Sequence, residues 1–265
     1  LLVHGFPDTP HTWRRQREAL AGIGYRVVTP FFRGYAPSGF PPDGNYQTGS
    51  LAADAIAWHE QLGGDERAVI VGHDYGASAA YGAAAYAPER WRRVVALSVP
   101  PRRSYLDRGL AYDQLRRSWY MWFFQMDVAQ KAVGANDLEF LERLWRDWSP
   151  SYDPREDLSG VRAALGSPAH LAAALEYYRF TFGRRSHDDA LASYQRAVGA
   201  PTPRPVLYIH GVDDGCVGIE LTEGVEASFE EPGSRVVRVP GAGHFVHLER
   251  PDIVNAHLIE FLSSS

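Results

Sequence analysis

An α/β architecture, a mostly parallel sheet flanked by helices and interrupted by a helical insertion, is what this 265-residue sequence predicts. Three observations carry that prediction. Short apolar runs alternate with longer helical stretches towards both ends of the chain, which is the βαβ pattern of a parallel sheet. The stretch 101–200 turns instead to helical periods without a buried strand. Finally, the strand-like run at 67–71 breaks into Gly72-His73-Asp74-Tyr75-Gly76 just before an alanine-rich helix, so a carboxylate stands at a sharp strand-to-helix turn.

Taken in order, residues 1–3 read as a first strand, 12–20 as a helix, 25–29 as a second strand and 51–62 as a second helix. Ser50 is placed to cap that helix and Gly63-Gly64 to close it. The turn at Asp74 follows, then a strand over 94–99 that ends at Pro100-Pro101. After Pro201-Thr202-Pro203 the strand pattern resumes at 205–210 and 235–239, and a terminal helix is expected over 252–262. The organisation is therefore a core in two parts, 1–100 and 201–265, with a helical cap over 101–200 inserted between them. No internal repeat is visible.

Composition narrows the function. A hydrophobic content of 45%, with 7 Trp, 14 Tyr and 12 Phe, fits a packed globule and excludes a disordered chain. The net charge of -5 is made of interspersed acidic and basic residues, which argues against a nucleic-acid or anionic-membrane partner; Arg102-Arg103, Arg116-Arg117 and Arg184-Arg185 read as solvated faces. The lone Cys216 cannot form an internal disulfide, so cytoplasmic placement is the default. No run of 18 apolar residues suggests a membrane span. The chain opens at Leu1 inside a strand and without Met, which leaves room for a signal peptide ahead of it.

Asp74 sets the chemistry. A carboxylate that attacks saturated carbon displaces an alkoxide or halide and leaves an ester, which water can cleave at its carbonyl; a serine at the same place would be left as an inert ether. Three further segments follow strands in order: His4-Gly5-Phe6-Pro7, Gly211-Val212-Asp213-Asp214 and Gly243-His244-Phe245. Each is common alone, and the ordered set is specific. Together with the elbow at Asp74 they resemble the α/β-hydrolase family over nearly the whole chain, in its order of nucleophile, acid and histidine. The resemblance implies that the first two strands of the family's sheet are missing here. It implies that His244 activates water against an ester at Asp74 and that Asp214 orients and charges the imidazole, Asp213 being the alternative acid. It further assigns the oxyanion hole to the backbone amides of Phe6 and Tyr75, makes Pro7 a loop-bending residue and a candidate for a cis bond, and leaves His4 and His73 structural.

The insertion sharpens the resemblance. Tyr120-Met121-Trp122-Phe123-Phe124-Gln125 is similar to the cap motif of epoxide hydrolases, and Tyr177-Tyr178-Arg179 to the segment that supplies their second tyrosine. Tyr120 and Tyr178 would then donate hydrogen bonds to an epoxide oxygen as the ring opens, while Trp119, Phe123 and Phe124 would line the substrate pocket. The activity implied is cofactor-independent hydrolysis of a small hydrophobic epoxide to a vicinal diol, by a candidate homodimer. The nearest rival is a haloalkane or haloacid dehalogenase, which needs indole donors or arginines beside the nucleophile, where this chain has Tyr75 and no Arg. A rival of another class is a catalytically silent fold serving as a small-molecule receptor, against which the intact set Asp74, Asp214 and His244 speaks. No metal or nucleotide is expected: His244 and His247 lack the third ligand of a zinc site, and Gly22-Ile23-Gly24 lacks a preceding strand.

Overall fold

The computed structural model describes residues 1–183 and 185–264, apart from the side chains at 106 and 107; Arg184, one of the arginines expected on a solvated face, lies outside them. Among the described residues five strands form one parallel sheet in sequence order: β1 (Leu2–Val3), β2 (Val69–His73), β3 (Arg93–Leu97), β4 (Val206–Gly211) and β5 (Arg235–Val239). Register runs through Leu2 opposite Val71, Val71 opposite Val95, Val95 opposite Leu207 and Leu207 opposite Arg235.

The apolar, β-branched strands suit burial on both faces. Because successive side chains alternate, Val69, Val71, Val95, Leu207 and Ile209 share one core with Trp13, Leu258 and Phe261. Their neighbours Ile70, Val94, Ala96, Val206 and Tyr208 face the other core, with Leu51 and Ala80. The first face is covered by α1 (Arg14–Gly22) and the terminal helix, Pro251–Ser263, which pack on each other. The second is covered by α2 (Thr48–Gln61) and α3 (Tyr75–Tyr86). Ala77, Ala79, Ala80, Ala83 and Ala84 of α3 are all buried, and side chains this small let the helix lie close on the sheet and on α2.

Between β3 and β4 the described residues form helices and no strand: α4 (Arg102–Arg108), α5 (Tyr112–Arg117), α6 (Trp119–Phe123), α7 (Ala129–Val133), α8 (Glu139–Trp148), α9 (Arg155–Leu165), α10 (Pro168–Phe182) and α11 (Ala192–Val198). Helices α4 to α10 meet the core at the carboxyl ends of the strands, whereas α11 packs along α2 and α3, with Tyr194 stacked on Tyr86. Trp145 Nε1 of α8 donates to Pro7 O at 2.9 Å, and the Tyr177 hydroxyl of α10 donates to Arg33 O at 2.8 Å. A crevice at the carboxyl ends of a parallel sheet is where such folds bind ligands.

Two local expectations are corrected. Residues 25–29 are not a strand: Leu2 N–H donates to Val28 O at 2.9 Å, but one such bond makes no ladder and the segment stays irregular. Helix α2 starts at Thr48 with Gln47 in the capping position, and Ser50 lies inside the first turn, where its hydroxyl donates to Gln47 O at 2.7 Å instead of capping. No helix among the described residues is long and apolar enough to cross a membrane.

Candidate active site

Asp74 stands between the end of β2 and the first residue of α3, at φ 53° and ψ -119°. A positive φ in a residue other than glycine costs about 1–3 kcal/mol and persists only where the surroundings impose it. Here they do. A Cβ on Gly72 would lie 1.9 Å from Gly76 O and one on Gly76 would lie 2.1 Å from Val3 O, so only glycine at both positions lets strand, turn and helix approach this closely. The carboxylate is thereby held against the helix N-terminus, where backbone N–H groups are unpaired within the helix.

Phe6 N–H donates to Asp74 Oδ1 at 2.9 Å, through a loop bent at the cis Phe6-Pro7 bond. Tyr75 opens α3, so its N–H is one of the donors that a helix start leaves without an intrahelical acceptor. The other carboxylate oxygen, Oδ2, lies 3.7 Å from His244 Nε2. His244 Nδ1 donates to Asp214 Oδ2 at 2.9 Å, and Asp214 Oδ1 accepts from the N–H groups of Cys216 and Val217 at 2.7 and 2.8 Å. Asp213 is exposed and Asp214 buried, so of the two candidate acids it is Asp214 that meets the imidazole.

Burial works against both charges, and the charges hold each other. Burial disfavours the imidazolium, yet Asp214 and then Asp74 retain its proton and raise the pKa of His244 to about 10. Burial likewise favours a neutral Asp74, but His244, His73 and the Phe6 amide keep its carboxyl below the ordinary 3.8. The free site therefore holds an ionised carboxylate beside an imidazolium.

A cavity of about 230 Å³ opens beside Asp74, lined in part by Tyr75, Val99, Pro100, Met121, Tyr178 and Phe182. Tyr178 is fully buried and its hydroxyl has no hydrogen-bond partner among the described residues. Burial first, and the Asp74 charge after it, push its pKa well above the ordinary range, so the phenol keeps its proton. Tyr120 sits one ring behind, edge to face with Tyr178 at 5.6 Å, and its hydroxyl is hydrogen-bonded to Cys216 Sγ at 3.3 Å.

The three aromatics expected to line the pocket do not line this cavity. Trp119 and Phe123, four residues apart on α6, share the face that packs on Phe140, and Trp119 is 47% exposed. Tyr120 and Phe124 share the inward face; Phe124 packs edge-on against Phe6 and Tyr178, behind the cavity wall. His4 keeps to a structural arrangement: it accepts from Phe32 N–H at Nε2 (3.1 Å), and Nδ1 donates to Gly5 O at 2.9 Å.

Two contributors escaped the sequence reading. His210 Nε2 donates to Val217 O at 2.9 Å and so braces the loop that carries Asp214, while Trp148 O accepts the His244 N–H at 3.0 Å. The place of His210, at the end of a strand directly before the acid loop, was the available signal; the Trp148 contact crosses 96 residues of chain and left none. Among the described residues two clusters bring metal-competent side chains within 4.8 Å of one another: Asp214, Cys216 and His244, and Asp8, His73 and His247. The first is committed to the Asp214–His244 bond.

The sequence matches the alpha/beta hydrolase fold family over residues 1–251. It is 30% identical over 293 residues to an epoxide hydrolase of Caballeronia sordidicola, spanning 99% of this chain and 86% of the other. To epoxide hydrolase A of Mycobacterium tuberculosis it is 29% identical over 290 residues, spanning 99% and 89%. The fold is similar to that of a Bacillus megaterium epoxide hydrolase in complex with an inhibitor, with a TM-score of 0.82 and 25% identity over 99% of this chain and 92% of that one.

Proposed function

Because this chain belongs to the α/β-hydrolase family, we propose that it is an epoxide hydrolase that works through a covalent ester on Asp74. One observation carries the reading: a protonated, buried Tyr178 hydroxyl without a partner shares a largely apolar cavity with an ionised Asp74. An apolar wall suits a small hydrophobic epoxide, and the free donor suits its ring oxygen. The epoxide hydrolase relatives support the same substrate class.

In the first step Asp74 Oδ2 bonds to a ring carbon and the carbon–oxygen bond of the epoxide breaks. The departing oxygen takes the Tyr178 proton, which solvent replaces, with Tyr120 as a second donor once it turns from Cys216. In the second step His244, which has released its extra proton to solvent once Asp74 is esterified and uncharged, removes a proton from water, and the hydroxide adds to the ester carbonyl. The oxyanion forms on Oδ1, the atom that already accepts from Phe6 N–H, with Tyr75 N–H as the second donor. Collapse of this intermediate expels the diol oxygen, which takes the proton back from His244, and the Asp74 carboxyl left behind passes its own proton to His244, which restores the carboxylate–imidazolium pair. The helical insertion acts as the cap that carries both tyrosines and excludes water from the first step. A dehalogenase is less well supported, since among the described residues no tryptophan lines the cavity and the arginine at its rim, Arg102, is exposed.

Oxygen-18 water tests the route. In a single turnover the diol should carry only unlabelled oxygen and the label should appear in the Asp74 carboxylate; label in the diol from that first turnover would mean direct attack by water.

A further inference from the structure

Asp8 and His73 lie behind the site, and neither takes part in the steps above. Both are fully buried, as are His244 and Ser98. His73 Nε2 is 3.0 Å from the carbonyl oxygen of His244. A carbonyl only accepts, so Nε2 carries a proton. His73 Nδ1 is 3.3 Å from Asp8 Oδ2, a contact that is attractive only with a second proton between them. The Ser98 hydroxyl donates to the same His244 oxygen at 2.6 Å, from a backbone at φ 65°. Two donors from two strand ends thus converge on one carbonyl, while His244 N–H is held by Trp148 O on the other side.

The neighbouring histidines cannot replace His73 in this role. His4 accepts a backbone N–H at Nε2 and is therefore neutral. His247 stacks on Trp13, and neither of its ring nitrogens has a partner among the described residues. Of the three, only His73 faces an acceptor with each nitrogen.

We infer that Asp8 and His73 form a second carboxylate–imidazole pair, and that with Ser98 this pair positions His244 for the ester-hydrolysis step. They are positioning residues: they touch the backbone of His244 and act on the water through its ring. The inference rests on the two-step reading above. Since Asp74 attacks without a base, loss of the pair slows hydrolysis of the ester far more than its formation.

The test is single-turnover kinetics with styrene oxide on Asp8→Ala, Asp8→Asn and Ser98→Ala, following ester formation and ester hydrolysis separately, with melting temperature and bound metal measured on the same samples. A displaced base costs on the order of 10–100-fold. Asp8→Ala should lose about that much in hydrolysis and less than roughly threefold in alkylation. Asp8→Asn, which still places a side-chain donor against Nδ1, should recover part of the loss, and Ser98→Ala should show a smaller hydrolysis defect. If Asp8→Ala does not fold, the other two variants decide. Unchanged hydrolysis in the folded variants overturns the inference, as does a parallel fall of both steps with the melting temperature, which marks a purely structural pair. Stoichiometric metal lost on substitution of Asp8 also overturns it, by making the cluster with His247 a metal site. Should His244→Gln accumulate no ester at all, the two-step reading fails and takes this inference with it; an ester there, with normal hydrolysis in the Asp8 and Ser98 variants, removes the inference alone.

Discussion

His244 Nε2 stands 3.7 Å from Asp74 Oδ2, beyond hydrogen-bond length, and although buried it has no hydrogen-bond partner among the described residues. The relationship is an ion contact, and it exists only while Asp74 is charged. Esterification removes that charge and one of the two reasons for His244 to keep its proton. The base is therefore released by the first step.

The pH dependence of ester hydrolysis should follow. In the free protein His244 titrates at about 10. In the ester its pKa should be lower, so the single-turnover hydrolysis rate should rise with pH and level off with an apparent pKa below 10. Stopped-flow measurements over pH 5–10 read this directly; a plateau reached only above about 10 would mean that Asp74 does not help to hold the proton.

The same shift predicts a stability effect of defined sign. His244 has a folded-state pKa raised above its ordinary 6.5, so the folded state binds the extra proton between the two values. Its contribution is complete below pH 6.5 and is lost as pH rises towards 10. The melting temperature of the native chain relative to His244→Gln should therefore decline across that window, and a difference that grew with pH would contradict the assignment.

Tyr178 and Tyr120 should not be equivalent. Tyr178→Phe removes the free donor from the cavity and should slow alkylation by roughly tenfold to a few hundredfold. Tyr120→Phe breaks a bond to Cys216 that already occupies its hydroxyl, and should cost less than about tenfold. Single-turnover rates of ester formation decide the order, and a larger loss in Tyr120→Phe would reverse the roles of the two phenols.

Asp214→Asn should cost far more than Asp213→Asn. An amide facing Nδ1 favours the wrong imidazole tautomer, an exchange that costs about 10⁴-fold in a comparable triad. Asp213 is exposed, and its backbone N–H, not its side chain, is what bonds to Ala242 O. Its substitution should change hydrolysis by less than about twofold. Equal losses in the two variants would return Asp213 to candidacy.

The strands were legible because apolar runs bounded by Gly and Pro are local signals, and the elbow because Gly72 and Gly76 mark a turn that no other residue fits. The order of Asp74, Asp214 and His244 along the chain carried the candidate site. What stayed hidden depends on tertiary partners. The segment 25–29 has a strand-like composition but a single bond to the sheet. Trp119 and Phe123 belong to the right helix but to the face that packs on Phe140, and nothing in a stretch aromatic at four of five positions says which face meets the cavity. The pairing of Asp8 with His73 brings together residues 65 positions apart, and two histidines with similar neighbours, His4 and His247, make no such pair.

Mass analysis of the peptide that contains Asp74, after His244→Gln has been incubated with excess styrene oxide, tests the central claim most directly. Asp74 needs no base to attack, whereas the ester needs an activated water. The account predicts that this peptide gains the mass of the whole epoxide at close to one equivalent per chain and that the adduct is absent from Asp74→Asn. An unmodified Asp74 peptide, under conditions in which the native chain turns the epoxide over, would contradict it.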